Sequence, residues 1–248
     1  MSEAQTEKRT MLDVHMHLIP GVDDGAMDMM MALSMMMRAQ EQGIDGIFAT
    51  PHSSAFDWNP REAMEAFAQL RDNAARFFPD MKLYLGCEVH CDSGYMDDVV
   101  ESLRTGRYPT MNGGPYVLME YFTKIEPENA LACAERMVRA GWIPVIAHME
   151  RYKYLRDNME LLDRFRAVGC RIQVNAYSLQ EELDEEIRDW ARQIVRAEKA
   201  DFLGTDAHRT YHRPPQAAGG LTWLYENCRA EYAQALSFGN ARKLLANE

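Results

Sequence analysis

The chain has 248 residues, of which 47% are hydrophobic and 26% charged, and its formal net charge is -11. This length and composition suit one globular domain with a sizeable core. The acidic balance argues against nonspecific nucleic-acid binding, which requires clustered Lys and Arg side chains against the phosphates.

Residues 1–10, MSEAQTEKRT, are polar and lack the apolar stretch of a signal peptide. We expect them to be an N-terminal extension and residues 11–248 to form a single domain. No apolar run approaches the ~18 residues of a membrane-spanning helix, so no membrane insertion is expected. The 5 cysteines are odd in number and irregularly spaced. We therefore expect a soluble, cytoplasmic protein with reduced thiols.

Short apolar or β-branched runs recur along the chain, separated by amphipathic helix patterns. In chain order, the runs are MLDVHMH, IDGIFATPH, KLYLGCEVH, YVLMEYF, IPVIAHMER, CRIQVNA and DFLGTDAH. Strands that alternate with helices predict a parallel sheet in an α/β fold. Seven such strands approach the count of a (β/α) barrel, in which the chemistry lies at the carboxyl ends of the strands.

The intervening helices carry recognisable start and stop residues. A methionine-rich helix is predicted to begin near Asp28. The next has Asn59 as N-cap and Pro60 at its first position. A later one begins near Pro127 and ends at Gly141. The stretch SLQEELDEEIRDWARQIVRAEKA predicts another helix, with Ser178 as its candidate cap.

Most predicted strands deliver a histidine or a carboxylate at their carboxyl end. These residues are His15, His17, His52, Glu88, Glu120, His148, Asp206 and His208, whereas the sixth strand offers only Asn175. One such residue alone is typical of a solvated loop. Together they account for five of the 7 histidines, and the clustering predicts a ring of metal ligands. We expect His90 on the opposite face of the third strand or in a loop, and His212 in a loop.

The stretch DVHMHLIPGVDDGAMD resembles the opening of the PHP (polymerase and histidinol phosphatase) superfamily. The similarity is closer to its branch of bacterial manganese-dependent protein-tyrosine phosphatases, which act in capsular and exopolysaccharide synthesis. The matching stretches run in family order over roughly residues 11 to 216. Besides the first, they are ATPH, GCEVH, PTMNGGPYVLMEY, AHMERY, QVNAYSL and TDAHRTYHRPP.

The resemblance implies a distorted (β/α)7 TIM-like barrel of the PHP type with two or three divalent metal ions in its cleft. The implied metal ligands are His15, His17, Asp24, His52, Glu88, Glu120, His148, Asp206 and His208. Glu88 matches a carboxylate that bridges metals, and Asp23 is expected to be structural. Arg151 and Arg213 match arginines that hold the substrate phosphate, and Arg209 is a third candidate. One departure is Ser53, where many relatives carry a second histidine after His52.

Metal ions would answer the two difficulties of hydrolysing a phosphomonoester dianion. They lower the pKa of bound water toward ~7, giving a hydroxide nucleophile, and they neutralise the phosphoryl oxygens. Histidine and carboxylate ligands without cysteine suit Mn, Fe, Zn or Co. Mn is expected first from the resemblance, and Mg is a further option.

Cys133 and Arg139 have the C-x5-R spacing of another class of tyrosine phosphatases, which use a catalytic thiol. That class needs a loop whose backbone N–H groups cradle the phosphate. The stretch CAERMVR is predicted to lie within a helix, where those groups are already bonded. We therefore expect no catalytic thiol.

The sequence thus predicts a metal-dependent protein-tyrosine phosphatase, with the tyrosine-rich tail of a polysaccharide-export kinase as its natural partner. A small-molecule phosphatase of the histidinol-phosphate kind is the alternative, and an open rim rather than a deep capped pocket would favour the first. A non-catalytic metal-binding module is a further alternative, and a nuclease is disfavoured by the charge. Phe56 and Trp58, which follow the second strand, are candidates for stacking a phenol ring.

Overall fold

The computed structural model describes residues 10–181 and 184–245. The predicted extension at 1–10 lies outside the described residues except for Thr10, as do the last three residues of the predicted domain. The strands of the described part, β1 to β8, are Met11–Met16, Ile44–Ala49, Lys82–Leu85, Glu88–His90, Tyr116–Glu120, Ile143–Ile146, Arg171–Asn175 and Phe202–Gly204.

The helices of the same residues, α1 to α9, follow in chain order. They are Met29–Glu41, Ser54–Trp58, Pro60–Phe77, Met96–Arg104, Pro127–Arg139, Met159–Ala167, Glu185–Arg196, Ala218–Asn227 and Ala230–Gln234. Short 3-10 turns at Met111–Gly113, Met149–Arg151 and Ala176–Leu179 follow strands or precede them. None of the described helices is long and apolar enough to cross a membrane.

All the strand pairs are parallel, in the orders β1-β2-β3 and β4-β5-β6-β7-β8. The two sheets join where the third predicted strand breaks between Leu85 and Glu88. Across the break, the N–H of Glu88 still donates to the carbonyl of Pro51 at 2.9 Å, continuing the pairing with the β2 segment.

The ring closes between the last strand and the first. The N–H of His17 donates to the carbonyl of Ala207 at 2.9 Å, and the N–H of Asp206 donates to that of His15 at 2.7 Å. The predicted distorted TIM-like barrel is therefore confirmed, with its third strand divided in two. Because every strand runs the same way, all the carboxyl ends meet at one rim.

Two apolar clusters hold the rim in place. The smaller cluster contains one or two side chains from each of several strands, so it fills the inside of the barrel. Its members include Leu12, Val14, Phe48, Leu118, Val145 and Phe202. The larger lies between the strands and the surrounding helices. Burial on both faces explains why strands such as β5 and β6 are nearly continuous apolar runs.

Three predicted helix starts are confirmed. The Asp28 side chain accepts from the N–H of Met31 at 2.8 Å at the start of α1. Asn59 caps α3 in the same way, and Pro60 occupies its first turn. Pro127 opens α5.

The predicted cap at Ser178 is wrong. This residue lies in a buried 3-10 turn, and its hydroxyl donates to Glu150 Oε1 at 2.7 Å. Helix α7 begins later, with Asp184 as its cap. An acidic side chain placed before Glu185 and Glu186 satisfies the free N–H groups of that first turn.

Candidate metal centre

Every side chain predicted as a ligand lies at the carboxyl-end rim. Eight of them fall into three groups, and within each group the ligand atoms lie within 4.8 Å of one another. The groups are His17, Asp24, His52 and His208; His15, His17, Glu88 and Asp206; and His52, Glu88 and Glu120. The ninth, His148, follows β6 and places its Nε2 3.0 Å from Glu88 Oε1.

Glu88 stands at the centre of the rim and is 1% exposed. Its Oε1 lies 3.2 Å from His15 Nε2, and its Oε2 lies 3.2 Å from His17 Nε2 and 3.1 Å from His52 Nδ1. Burial pushes the pKa of Glu88 up, but the contacts with His15 and His148 outweigh it and hold the pKa well below its ordinary value. The carboxylate is therefore charged, as a metal ligand must be.

Asp23 fixes His17 from behind. Its Oδ2 lies 2.7 Å from His17 Nδ1 and accepts from the backbone N–H of His52 at 3.0 Å. Burial raises the pKa of Asp23, yet the contact with His17 lowers it to about 2. With Nδ1 held in this way, Nε2 of His17 faces the ring, which is the arrangement that orients histidine ligands. Gly25 is required beside it, because a Cβ there would lie 2.3 Å from the carbonyl oxygen of His17.

Gln173, which sequence reasoning missed, orients two further histidines. Its Oε1 lies 3.2 Å from His15 Nδ1 and accepts from the N–H of His148 at 2.8 Å. Its Nε2 donates to Asn175 Oδ1 at 2.9 Å. The available signal was the buried run IQVN, in which two amides alternate with Ile172 and Val174 and so share one face of β7.

One side of the rim is more open. The side chain of His52 is 28% exposed and that of Asp24 61%. Asp24 Oδ1 lies 3.4 Å from the Nε2 atoms of both His52 and His208. Burial lowers the pKa of His52, but contacts with Glu120 and Glu88 raise it to about 10. Burial and the neighbouring His17 lower the pKa of His208 to about 2, so its imidazole is neutral.

The two arginines predicted to hold phosphate meet at Asp206. Arg151 Nη1 and Arg213 Nη2 both donate to Asp206 Oδ2, while Asp206 Oδ1 lies 3.4 Å from His15 Nε2. Arg213 Nη1 also lies 3.0 Å from His208 Nε2. Arg209 donates from Nε to the carbonyl of Asp24 at 3.2 Å. Two guanidinium groups thus border the ligand cluster at one carboxylate.

The backbone at this edge has an uncommon conformation. His148, Asp206 and Arg213 have φ values of 32°, 53° and 55°. The left-handed region is unfavourable for residues with a Cβ and persists where the surroundings enforce it. Here it aims three polar side chains into the same space.

A cleft of about 810 Å³ opens beside the exposed side of the rim, bordered by His52 and Glu120. His90 lines it, with Nδ1 3.5 Å from Glu120 Oε1. The expectation that His90 faces away from the site, or lies in a loop, is wrong. Residues two apart in a strand share a face, so His90 follows Glu88.

The aromatic residues predicted to stack a phenol ring do not do so. Phe56 is buried in the core, and Trp58, although exposed, lines a separate small cleft with Gly21 and Val22. Tyr95 and Phe122 line the large cleft instead. His212 lies in an exposed loop, as predicted.

The thiol mechanism finds no support. Cys133 lies inside α5 and is buried, and burial raises the pKa of its thiol to about 11. All five cysteines are free. A thiolate is the nucleophilic form, so a thiol with this pKa is inert near neutrality.

The donor set fits divalent metal ions. Nitrogen and carboxylate oxygen atoms converge in three groups without a cysteine, which suits borderline to hard ions. Several of these groups are buried, and buried carboxylates occur where they are paired or bind metals. The three groups contain more ligand atoms than one ion requires.

Comparison with known proteins gives a consistent result. The family model described as "Capsular polysaccharide synthesis, CpsB/CapC" matches residues 11–246. The tyrosine-protein phosphatase CpsB of Streptococcus pneumoniae is 25% identical over 245 residues, covering 96% of this chain and 99% of that protein. The tyrosine-protein phosphatase YwqE of Bacillus subtilis is 28% identical over 240 residues, covering 96% and 92%.

A crystal structure from work on YwqE of Bacillus subtilis and CpsB of Streptococcus pneumoniae, described there as unique metal-dependent tyrosine phosphatases, superposes with a TM-score of 0.84. It is 28% identical, and the match covers 96% of this chain and 95% of that one.

Proposed function

We propose a function from one premise, namely that the chain belongs to the capsular polysaccharide synthesis family CpsB/CapC. The protein is a metal-dependent protein-tyrosine phosphatase, that is, a phosphomonoester hydrolase. The observation that carries the proposal is the convergence of three groups of ligand atoms on one rim, with two guanidinium groups beside them.

The proposed metal ligands are the nine residues predicted from the sequence. They are His15, His17, Asp24, His52, Glu88, Glu120, His148, Asp206 and His208. We propose two or three ions, with Mn first and Fe, Zn, Co or Mg as substitutes. When bound, such ions supply the positive charge that stabilises phosphoryl oxygens and the acidity that activates water.

Arg151 and Arg213 are the proposed phosphate-holding residues. Their planar forks already converge on one anionic oxygen of Asp206, and the same geometry suits phosphate oxygens. Burial lowers the pKa of Arg151, but Asp206 outweighs it and raises the pKa above its ordinary value, so the group stays charged. The phenolate leaving group (pKa about 10) needs little help from a general acid.

The shape of the cleft favours a peptide over a small phosphomonoester. Its lining includes exposed side chains, among them Phe122 and Asp98, so it is open along its length rather than capped. We propose the tyrosine-rich tail of a polysaccharide-export kinase as the physiological substrate, and control of capsule or exopolysaccharide synthesis as the role. The family description supports this role.

We further propose that residues 11–248 act as one phosphatase domain in the cytoplasm, preceded by a polar extension. The free thiols support a reducing compartment.

The test is hydrolysis by purified protein, stripped with a chelator and then reconstituted with Mn. The substrates are a phosphotyrosine peptide, the matched phosphoserine peptide and histidinol phosphate. We expect turnover only with metal, and preference for the phosphotyrosine peptide. Preference for histidinol phosphate would instead indicate a small-molecule phosphatase. No turnover by protein shown to hold metal would favour a non-catalytic metal-binding module.

A further inference from the structure

The large cleft follows one face of helix α4. Its lining includes a series spaced three or four residues apart, at Tyr95, Asp98, Glu101, Ser102 and Thr105. Residues with this spacing lie on the same side of a helix. From the first to the last the helix rises about 15 Å at ~1.5 Å per residue. An extended chain advances ~3.3 Å per residue, so the cleft has the length of about four or five peptide residues.

The end of the cleft beside the metal centre is aromatic. The ring of His90 lies 4.2 Å from that of Phe122, centroid to centroid and edge to face, and 6.3 Å from that of Tyr95. His90 Nε2 is buried without a hydrogen-bond partner among the described residues. The three rings extend from Glu120, which His90 contacts. They provide a flat apolar surface for the phenyl ring of a phosphotyrosine whose phosphate lies at the rim.

A polar brace between α2 and the segment after α4 also borders the cleft. Tyr108 donates its hydroxyl to Asp57 Oδ1 at 2.8 Å, and Arg107 Nη2 lies 3.1 Å from the same oxygen. Arg107 also donates to the carbonyls of Phe56 and Asp57. The charges of Arg107 and Asp57 neutralise each other, so neither group is available to a ligand.

Along the α4 side of the cleft, the charge is negative. The Asp98 carboxylate is exposed and makes no ion pair or hydrogen bond within the described part of the chain, and Glu101 lies one turn further along. Glu101 is partly neutralised by Arg104 at 3.2 Å. A ligand with a phosphate at the rim and a positive charge one or two residues away is complementary to this arrangement.

We propose that the cleft binds the peptide segment that flanks the phosphotyrosine, with its phenyl ring against His90, Tyr95 and Phe122 and a Lys or Arg residue beside Asp98. The proposal rests on the proposed function, since it names the substrate sequence that the same site prefers. It makes Phe122 and Asp98 specificity-determining residues.

The test uses Mn-loaded full-length protein and phosphotyrosine peptides that carry Lys, Ala or Glu at each position on either side of the phosphotyrosine. Phenyl phosphate reports on the metal centre alone. We expect one flanking position at which Lys exceeds Glu in kcat/KM by about fivefold, the size of an exposed ion pair. The quantity compared is the ratio of the kcat/KM values for the Lys and Glu peptides, measured on one preparation. Incomplete metal loading lowers both values by the same factor and does not change the ratio.

Asp98→Lys should reverse the order of the Lys and Glu peptides at that position. The matched control is Asp72→Lys, an exposed carboxylate on α3 outside the cleft, which should keep the order of the unmodified protein. Phe122→Ala should raise KM for the peptide about fivefold with little change in kcat. Its control is Phe77→Ala, since both side chains are 63% exposed and Phe77 lies outside the cleft.

Three outcomes would contradict the proposal in distinguishable ways. If phenyl phosphate and all the peptides are hydrolysed but no flanking residue changes kcat/KM, the cleft is not a peptide subsite and the proposed function stands. If no tyrosine phosphate is hydrolysed by metal-loaded protein, both fall together. An unchanged peptide order in Asp98→Lys would refute the assignment of that residue.

Discussion

The rim of the barrel has two unlike halves. On one side, His15, His17 and Glu88 are almost fully buried, and each imidazole is held from behind by a further side chain, Gln173 or Asp23. On the other side, His52 is partly exposed to solvent and Asp24 is exposed. The imidazoles of the buried half are held by protein hydrogen bonds, whereas the open half faces the cleft through which a substrate would enter.

The difference teaches how one fold serves two requirements. Tight, preorganised ligation needs locked rotamers and a second layer of hydrogen bonds, which only burial provides. Access for a substrate needs exposed ligands on at least one side. We therefore expect substitution of a ligand in the buried half to reduce metal binding more than substitution of a ligand in the open half.

The largest effect is expected from Glu88→Gln, which keeps the shape of the side chain and removes its charge. Two of the three ligand groups contain Glu88, so the variant should lose activity on the order of a thousandfold and hold fewer ions per chain. Metal analysis after dialysis, together with phosphotyrosine-peptide turnover, measures both. Glu65→Gln, on an exposed face of α3, is the control. Full metal content in Glu88→Gln would contradict a central role.

Asp24→Asn should have a smaller effect that added metal can reverse. Three imidazoles remain in its group, so we expect about a hundredfold loss at limiting Mn, within the range for weakened metal sites. Activity measured against Mn concentration should return to near the original value at saturation. If excess Mn fails to restore the activity, Asp24 has a role other than metal affinity, and weaker metal binding does not explain the loss.

Gln173→Met tests the layer behind the buried half. The substitution removes the acceptor for His15 Nδ1 and for the N–H of His148 while keeping a similar volume. We expect about a tenfold loss of metal affinity, read by competition with a chelator. Retained affinity would mean that packing alone orients His15.

The smallest effect is expected from Tyr108→Phe, in the brace of the open side. It removes the hydrogen bond to Asp57 and should lower the free energy of unfolding by about 1 kcal/mol, measured by urea denaturation. Metal affinity should stay as it was, because the brace touches no proposed ligand. A loss as large as that of Gln173→Met would show that the two halves are coupled.

Much of the rim was predictable because side chains alternate regularly along a strand and parallel strands all end at the same edge. All the proposed ligands except Asp24 lie at or just after the end of an apolar run, and parallel strands bring such positions to one edge. His15 and His17 share a face for the same reason. The same period of two places His90 on the face of Glu88 in β4, contrary to the expectation that it faces away. Asp24, in the loop after β1, was expected only from the resemblance.

Other features had no local signal. The break after Leu85 falls inside an apolar run, where only Gly86 marks it. Tyr95 and Phe122 lie in different segments and line the same cleft, on either side of His90, because β4 and β5 are neighbours. Gln173 looked like an ordinary strand residue, since its role depends on His15 and His148 from other strands. Ser178 was mistaken for a cap because its partner, Glu150, is remote in sequence.

Asp206 gives the centre a property that none of its neighbours has. One carboxylate oxygen faces His15 and the other accepts from both arginines, so the same residue would belong to the proposed metal sites and to the proposed phosphate site. Such a shared group links the binding of metal ions to the binding of phosphate. A phosphate that takes over the guanidinium groups leaves Asp206 more negative and so favours metal binding. Bound metal ions in turn make it easier for the arginines to move from Asp206 to phosphate. By reciprocity, the released phosphate and the metal should each tighten the binding of the other by the same factor.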